Sequence, residues 1–292
     1  MIPISLKQEI ESVLTHNMGK DVLVKRVFSL SGGSINAAFR LDTGAGEFFM
    51  KYNRASVYPA MFETEARGLS LLHDAKEIRV PAVVAHGDDG IHSFIILEYI
   101  DSASMKNNFW EMFGRKLAAL HRHGGPYFGL DHNNYIGSLP QFNDKNDRWT
   151  DFFREQRLLV QMDMAARSGL LPSRTGQAFE SLFARLDDIF PDEPPCLIHG
   201  DLWSGNYMVD DRGEACIIDP AVYYGSREMD IGMSQLFGVF GGGFYDAYNE
   251  TWPMEPGWRE RSEICNLYPL MVHVNLFGAG YLGSVDSILS KF

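Results

Sequence analysis

The chain has 292 residues, 45% of them hydrophobic and 22% charged, and its formal net charge at pH 7 is −12. This length and composition favour a globular protein of one or two domains over a disordered or repetitive chain. Because the net charge is negative and no long run of lysine and arginine reverses it locally, neither nucleic acid nor an anionic membrane is an expected partner.

Three cysteines, none of them in a CxxC motif, favour buried reduced thiols over a disulfide framework or a zinc site. The first residues lack the basic start and unbroken apolar stretch of a signal peptide. The most apolar late segment, 267–282, is too short to span a bilayer comfortably, so we interpret it as a buried helix. These features predict a cytoplasmic location.

In chain order, the first hundred residues predict a small lobe in which strands surround one helix that begins near residue 60. A shorter helix at 4–15 precedes the strands. Turns at 31–34 and 43–46 contain glycine, which relieves the steric cost of positive φ. The strands are expected at 21–30, 37–41, 47–52, 82–87 and 93–100.

From residue 101 the pattern is mainly helical, and only two short strands, 207–209 and 215–218, interrupt it. The turn 210–213 joins these strands into a hairpin. The helices are expected around 109–120, 149–168, 177–190, 229–237, 242–250 and 259–282. The prediction is an α+β fold with a β-rich lobe at 1–100 and a larger helical lobe at 101–292.

The segment HGDLWSGN, at 199–206, carries the clearest chemical signal. Asp201 and Asn206 lie on a loop that leads into the hairpin, and Asp219 follows the hairpin's second strand, so one hairpin brings all three together. Phosphoryl transfer needs an oriented hydroxyl, charge neutralisation and magnesium ligands. In kinases the first aspartate of this pattern is the catalytic base, while the asparagine and the second aspartate bind Mg²⁺. The alternative is that Asp201 and Asn206 only cap turns.

The first lobe contains the partners that a kinase requires. Lys51 ends an apolar strand segment from which it could reach the phosphates of ATP, and Glu65 on the next helix could hold it by an ion pair. Glu63 is the rival partner, but it projects from a different side of the helix. These residues predict a protein-kinase-like, two-lobe fold whose first lobe binds the nucleotide.

Two further segments of the first lobe are candidate nucleotide contacts. Backbone N–H groups of Gly32, Gly33 and Ser34 could approach the phosphates, although an ordinary hairpin turn explains this loop nearly as well. Glu98 and Tyr99 lie at the linker between the lobes, where main-chain groups would receive adenine.

The segment after Asp219 bears on the acceptor. Only 220–228 separates Asp219 from the next helical pattern, so a long activation segment and an APE motif are missing from this stretch. A protein substrate would need such a platform, so a small-molecule acceptor is favoured. Asp230 is interpreted as either a helix N-cap or a buried anchor for the catalytic loop, and His199 as a packing or hydrogen-bonding residue.

These residues resemble the fructosamine kinases (ketosamine-3-kinases), which are similar in fold to aminoglycoside phosphotransferases. The resemblance covers nearly the whole chain. It rests on GGSIN at 32–36, FFMKYN around Lys51, FETEARGL at 62–69, GSLPQFN at 137–143, the W-x-x-FF-x-x-QRL pattern at 149–158, HGDLWSGN at 199–206, IDPAVYYGSREMDI at 218–231, FYDAY at 244–248 and HVNLFG at 273–278.

The resemblance implies ATP- and magnesium-dependent phosphorylation of a ketoamine, on a free amine or a glycated protein, at O3 of the sugar. The labile product would release the amine, which is deglycation repair. Some fructosamine kinases have a cysteine in the phosphate loop at the position where this chain has Ser34. A thiol switch in that loop is therefore not expected here.

The acceptor sugar has flat C–H faces, so Trp203, Tyr223 and Tyr224 are candidate stacking platforms, with a role as core aromatics an equal alternative. Two other functions stay open at this point. One is a kinase for another acceptor, such as an aminoglycoside or choline. The other is a pseudokinase that binds nucleotide without catalysis, although no catalytic position has been lost.

Overall fold

The computed structural model describes residues 2–30 and 35–292, and the chain forms two compact units. The first comprises Met1–Met105 together with Met208–Ile218, and the second comprises Lys106–Tyr207 together with Asp219–Phe292. The expected second lobe, 101–292, included the hairpin at 207–218. Most of that hairpin belongs instead to the first unit, a long-range arrangement that local patterns do not reveal.

The first unit is built on a five-stranded antiparallel sheet. The sheet consists of β1 (Val24–Leu30), β2 (Ala37–Thr43), β3 (Gly46–Arg54), β4 (Val83–Asp88) and β5 (His92–Glu98). The strands lie in the order β1-β2-β3-β5-β4. The helices of this unit are α1 (Ile4–Met18) and α2 (Met61–Ala75). The expected helices and strands are thus present, with ends that differ by a few residues.

Successive side chains of strand β3 point to opposite faces of the sheet. Phe48 and Met50 point to one face, where they pack with the buried residues Leu6 and Ile10 of α1. Lys51, one residue further, points to the opposite face although it lies in the centre of the sheet, paired to Ala38 and Ile95. One face of the strand is therefore core, and the other carries a buried charge.

The second unit is mainly helical. Its helices are α3 (Phe109–His121), α4 (Trp149–Phe152), a π-helical turn (Phe153–Leu158), α5 (Leu159–Arg167), α6 (Ser173–Phe183), α7 (Leu186–Ile189), α8 (Glu228–Leu236), α9 (Phe244–Thr251), α10 (Trp258–Cys265), α11 (Leu267–Phe277), a 3₁₀ turn (Ala279–Tyr281) and α12 (Leu282–Leu289). Helix α3 packs on α9, and α8 packs on α10. The helix expected at 259–282 is thus broken into several pieces.

Short strands complete the fold. They are β6 (Asn134–Ile136), β7 (Leu139–Gln141), β8 (Cys196–Ile198), β9 (Tyr207–Val209), β10 (Ala215–Ile217) and β11 (Tyr223–Gly225). The expectation that only β9 and β10 interrupt the helices was wrong, because β6 pairs with β7 and β8 pairs with β11. Three-residue strands are too short for alternation to be visible in sequence.

All three cysteines are buried and unpaired, and burial raises the pKa of the Cys196 thiol to about 12. Across residues 2–30 and 35–292, none of the helices has the length and apolar character needed to traverse a bilayer. The segment 267–282, expected to be one buried helix, contains the largely buried α11 followed by a break at Gly278, where φ is +94°.

Candidate active site

The segment 199–206 is anchored from behind by Asp230. One carboxylate oxygen accepts the backbone N–H of His199 at 2.7 Å, and the other accepts that of Gly200 at 2.9 Å. His121 lies 3.1 Å from the same carboxylate and 2.8 Å from the hydroxyl of Tyr248. Asp230 is the third residue of α8 and is fully buried, so it is the buried anchor and not an N-cap.

The chemical state of Asp230 follows from these contacts. Burial alone would raise its pKa, but His121 and the N–H of His199 hold the pKa of Asp230 below its usual value. The group therefore remains a carboxylate, which is the form that can accept two backbone hydrogen bonds. A fixed charge of this kind orders the start of the segment 199–206.

Gly200 is required by close packing within the loop. Its φ is +81°, and a Cβ atom there would lie 2.2 Å from the carbonyl oxygen of Ala221. The N–H of Ala221 donates to the carbonyl of His199 at 2.9 Å. The segment 199–206 and the segment after Asp219 are thus in direct backbone contact, which no other residue type at position 200 would permit.

The amide of Asn206 joins the three candidate residues. Its Nδ2 donates to the carbonyl and to the carboxylate Oδ2 of Asp201, each at 2.9 Å, and lies 3.4 Å from the carbonyl oxygen of Asp219. Because the nitrogen makes these contacts, the amide oxygen is oriented away from them. The juxtaposition of Asp201, Asn206 and Asp219 in one place agrees with the interpretation of HGDLWSGN.

Asp201 has an altered proton affinity. Enclosure by protein atoms raises its pKa well above the usual value, the Asn206 hydrogen bond opposes this, and the negative charges of Asp219 and Asp230 add to it. A carboxyl with a raised pKa is a better proton acceptor than an ordinary one. The arrangement is chemically suited to accept a proton from a hydroxyl.

The donor set fits magnesium. Mg²⁺ takes oxygen ligands and commonly uses only one or two carboxylates together with substrate phosphates. Asp219 is exposed, and the oriented amide of Asn206 provides a second oxygen. Within the described part of the chain there is no cluster of three or more His, Cys, Asp or Glu side chains suited to a metal. A two-ligand oxygen site is the kind that these residues can form.

In the first unit, Lys51 and Glu65 form the ion pair that the sequence predicts. Lys51 Nζ lies 2.8 Å from Glu65 Oε1, and both side chains are about nine-tenths buried (8% and 11% exposed). Glu63 is exposed on another side of α2. A lysine ammonium held in this way is preorganised to meet an anionic group.

The other nucleotide candidates stay predictions. Gly32, Gly33 and Ser34 lie outside the described residues. The side chain of Glu98 accepts a hydrogen bond from Arg79 at 2.7 Å, and the ring of Tyr99 lies 5.5 Å from the guanidinium of Arg40. Both side chains are thus engaged within the unit, so the prediction for these two positions concerns their main-chain groups.

Arg79 fixes the turn of the β9–β10 hairpin within the first unit. Its Nη1 contacts Asp210 at 3.0 Å and also Asp211, and Ile217 donates its N–H to the Arg79 carbonyl at 3.0 Å. Asp210 is fully buried and accepts the N–H of Glu214 at 2.9 Å. Along the chain, Asn206 precedes this hairpin and Asp219 follows it.

Acid should weaken this turn. Burial would raise the pKa of Asp210, but the N–H of Glu214 and the Arg79 guanidinium lower it to about 2. The pKa of an unfolded aspartate is about 3.9, so the stabilisation is present above that pH and is lost as pH falls through about 2. We expect Asp210→Asn to lower the free energy of unfolding by about 2 kcal/mol at pH 7 and by progressively less toward pH 2, in urea titrations at several pH values.

Asp211→Asn is the matched control, because Asp211 contacts the same guanidinium but its side chain is 52% exposed. Such a surface pair contributes about 0–1 kcal/mol. If Asp210→Asn lowered the free energy of unfolding by the same amount from pH 7 to pH 2, the result would contradict the depressed pKa of Asp210.

The candidate sugar platforms have different surroundings. Tyr223 is fully buried, and its ring packs 3.9 Å from the guanidinium carbon of Arg157, so its assignment as a platform was wrong. Tyr224 is half-buried with its ring against Gly125. Trp203 is partly exposed and begins a group of rings that we call the aromatic patch. The patch consists of Trp203, Phe237, His273, Phe277 and Tyr281.

The aromatic patch begins at Trp203, within the segment 199–206. The rings of Trp203 and Phe237 are 6.4 Å apart, and those of Phe237 and His273 are 4.4 Å apart. Phe277 is 59% exposed. The motif HVNLFG contains His273 and Phe277, and its proximity to Trp203 arises only in the folded chain, so the sequence alone predicts no role for it.

A β-sheet unit with a buried Lys–Glu pair and a helical unit with an Asp–Asn–Asp loop are the parts of a protein-kinase-like phosphotransferase. The fold agrees: a thermostable variant of an aminoglycoside phosphotransferase, solved in a ternary complex with ADP and hygromycin B, matches with a TM-score of 0.63 at 14% identity, over 97% of this chain and 98% of that chain.

The chain belongs to the fructosamine kinase family, whose family model matches residues 6–292. It is 41% identical to the chloroplastic protein-ribulosamine 3-kinase of Arabidopsis thaliana, over 97% of this chain and 86% of the relative. It is 38% identical to a probable ketoamine kinase of Synechocystis sp., over 97% and 96%. A crystal structure from Thermobifida fusca, of a protein proposed to be a fructosamine-3-kinase, matches with a TM-score of 0.87 at 34% identity, over 96% and 97%.

Proposed function

We propose that this protein is an ATP-dependent kinase that phosphorylates the sugar of ketosamines at O3, as a step in deglycation. The observation that carries the proposal is the Asn206 amide, which links the Asp201 carboxylate to the Asp219 segment in a chain of the fructosamine kinase family. The names of the relatives, for ketoamines and ribulosamine, support a ketosamine acceptor.

Asp201 is the proposed catalytic base. In the reaction, the proton of the sugar hydroxyl passes to the Asp201 carboxylate while the hydroxyl oxygen bonds to the γ-phosphorus of ATP. The bond from that phosphorus to the β–γ bridging oxygen breaks, and ADP leaves. The Asp201 carboxylate, oriented by the hydrogen bond that it accepts from Asn206, supports this role.

Lys51, held by Glu65, is proposed to bind the nucleotide phosphates, with the backbone of Gly32, Gly33 and Ser34 as a further contact. The main chain at Glu98 and Tyr99 is proposed to receive adenine. Asn206 and Asp219 would hold Mg²⁺. When bound, the ion would supply positive charge that offsets the phosphate oxygens and the neighbouring carboxylates.

The aromatic patch is the proposed acceptor surface. Trp203 follows Asp201 by two positions and is partly exposed, so its ring can stack on a sugar C–H face. His273 Nδ1 lies 2.7 Å from the carbonyl of Pro269, to which it donates, and burial lowers the pKa of His273. The ring is therefore neutral with Nε2 as an acceptor for a hydroxyl.

The test is a panel of acceptors incubated with protein, ATP and magnesium. The panel contains fructosyl-, ribulosyl- and erythrulosyl-lysine, a glycated protein, an aminoglycoside and choline. We expect mass spectrometry to find phosphate on the ketosamines, with ADP formed in equal amount, and hydroxyl-resolved NMR to place it at O3. If phosphate were found only on the aminoglycoside or on choline, the acceptor would belong to that class and not to the ketosamines. ATP binding with no turnover on any acceptor would favour a pseudokinase.

A further inference from the structure

Asp219 has a backbone conformation that must be held by its surroundings. Its φ is +54°, in the left-handed region, and Pro220 follows it. A non-glycine residue in this region costs roughly 1–3 kcal/mol and persists only where neighbouring structure imposes it. Such strain is common at functional sites, and neighbouring residues must impose it.

Two buried amides hold the backbone that follows Asp219. Gln141 Nε2 donates to the carbonyl of Ala221 at 3.1 Å, and Asn134 Nδ2 donates to the carbonyl of Val222 at 2.8 Å. Gln141 also donates to Asn134 Oδ1 at 2.8 Å. Both amides come from the β6–β7 hairpin, and they are 1% and 6% exposed. The short strands of this hairpin thus bring two side chains to one backbone segment.

The orientation of each amide is fixed by further buried groups. The hydroxyl of Tyr268 donates to Gln141 Oε1 at 2.9 Å, so the Gln141 nitrogen must be the end that faces Ala221. Asn143 Nδ2 donates to Asn134 Oδ1 at 3.0 Å, and Arg157 Nη2 donates to Asn143 Oδ1 at 2.8 Å. These amides cannot turn over without losing several hydrogen bonds.

The network includes one buried charged residue, Arg157, which indicates that the network has a role beyond fold stability. Arg157 is fully buried, in the π-helical turn, with its guanidinium against the rings of Tyr223 and Tyr268. Burying a guanidinium is costly, and apolar residues of similar size often stabilise a core as well or better. A network of this kind serves orientation, and the backbone that it orients is the one leaving Asp219.

We propose that Gln141 and Asn134, backed by Asn143, Arg157 and Tyr268, are positioning residues that hold Asp219 in its left-handed conformation and thereby set its affinity for nucleotide-bound magnesium. This rests on the proposed function in one respect: it takes Asp219 as a ligand of that ion. It also explains the GSLPQFN segment, which contains Gln141 and Asn143.

The variant that tests the proposal is Gln141→Leu, and Gln161→Leu is its matched control. Gln161 is also 1% exposed, in the same unit, and its Oε1 accepts the amide of Asn275 at 2.8 Å. Both changes remove a buried glutamine–asparagine contact. Gln141→Glu is a second variant, since it keeps the shape but places an acceptor against the acceptors of Asn134 and Ala221.

The measurement is calorimetric titration with ADP, with and without magnesium, alongside the unfolding midpoint. For both Gln141 variants we expect the affinity gained from magnesium to fall by about 10–100-fold, the size typical when residues supporting a metal ligand are changed, while magnesium-free ADP binding stays the same. For Gln161→Leu we expect no change in either affinity. The magnesium concentration for half-maximal turnover should rise in parallel.

A lowered unfolding midpoint in the Gln141 variants with unchanged magnesium-linked ADP affinity would overturn the positioning role and leave a structural one. An equal loss of magnesium-linked ADP affinity in Gln161→Leu would also overturn the positioning role. Because ADP binding needs no acceptor, a wild-type protein that binds ADP with magnesium but phosphorylates no ketosamine would contradict the proposed function alone.

Discussion

Replacing Asp201 with asparagine should reduce kcat by about 10²–10⁴-fold, the contribution typical of a general base. The change keeps the size of the side chain and an oxygen that can accept the hydrogen bond from Asn206, which reaches Asp201 Oδ2 at 2.9 Å in the wild type. It removes the group that takes the hydroxyl proton. Initial rates of ADP formation with a ketosamine acceptor measure the effect.

The same variant should still bind nucleotide. Lys51 and Glu65 are unaltered, so ADP affinity in the presence of magnesium is expected to stay within a few-fold of wild type, about 1 kcal/mol or less. Asp246→Asn is the control, because Asp246 is exposed in the first turn of α9. Full activity of Asp201→Asn would remove Asp201 from the role of base, whereas equal losses in Asp201→Asn and Asp246→Asn would point to a general effect of charge.

Replacing Asp230 with alanine should lower the free energy of unfolding by about 3–5 kcal/mol. The change leaves the backbone N–H groups of His199 and Gly200 buried without their acceptor, and it removes the carboxylate beside His121. Native proteins are stable by only about 5–15 kcal/mol, so this is a large share. Urea titration followed by tryptophan fluorescence gives the free energy.

Asp230→Asn should lower the free energy of unfolding by a smaller amount, about 1–3 kcal/mol, because its amide nitrogen faces one of the two N–H donors. This variant preserves a measurable protein if the alanine variant does not fold. It should also lose turnover, since the N–H donors that it disturbs order the loop that carries Asp201. Asp246→Ala, which removes a carboxylate from the same first-turn position of another helix, should cost less than about 1 kcal/mol. Equal losses for Asp230→Ala and Asp246→Ala would show that only the helix dipole is involved.

The candidate groups for phosphoryl transfer fall into two sets, one in each unit. The buried Lys51–Glu65 pair is assembled inside the first unit, while Asp201, Asn206 and Asp219 are assembled inside the second. Each set is preorganised by contacts within its own unit. Preorganised charges stabilise a transition state without further reorganisation.

The sequence alone was enough to predict the two-lobe α+β fold and the candidate residues Asp201, Asn206, Asp219, Lys51 and Glu65, and its motifs resemble those of the fructosamine kinases. It could do so because these positions depend on local spacing: a loop before a hairpin, an aspartate after it, and a lysine and a glutamate on a neighbouring strand and helix. Strand and helix periods are local properties. The structure bears out the Lys51–Glu65 pair and the juxtaposition around Asn206.

The groups that surround these residues become apparent only in the folded chain. Tyr223 and Trp203 looked equivalent in sequence, yet one is buried against Arg157 and the other is partly exposed beside Phe237. The anchoring of His199 by Asp230 and of Ala221 by Gln141 joins residues 31 and 80 positions apart. Contacts at such separations are set by packing and by the need to satisfy buried polar groups, which no local pattern of residues records.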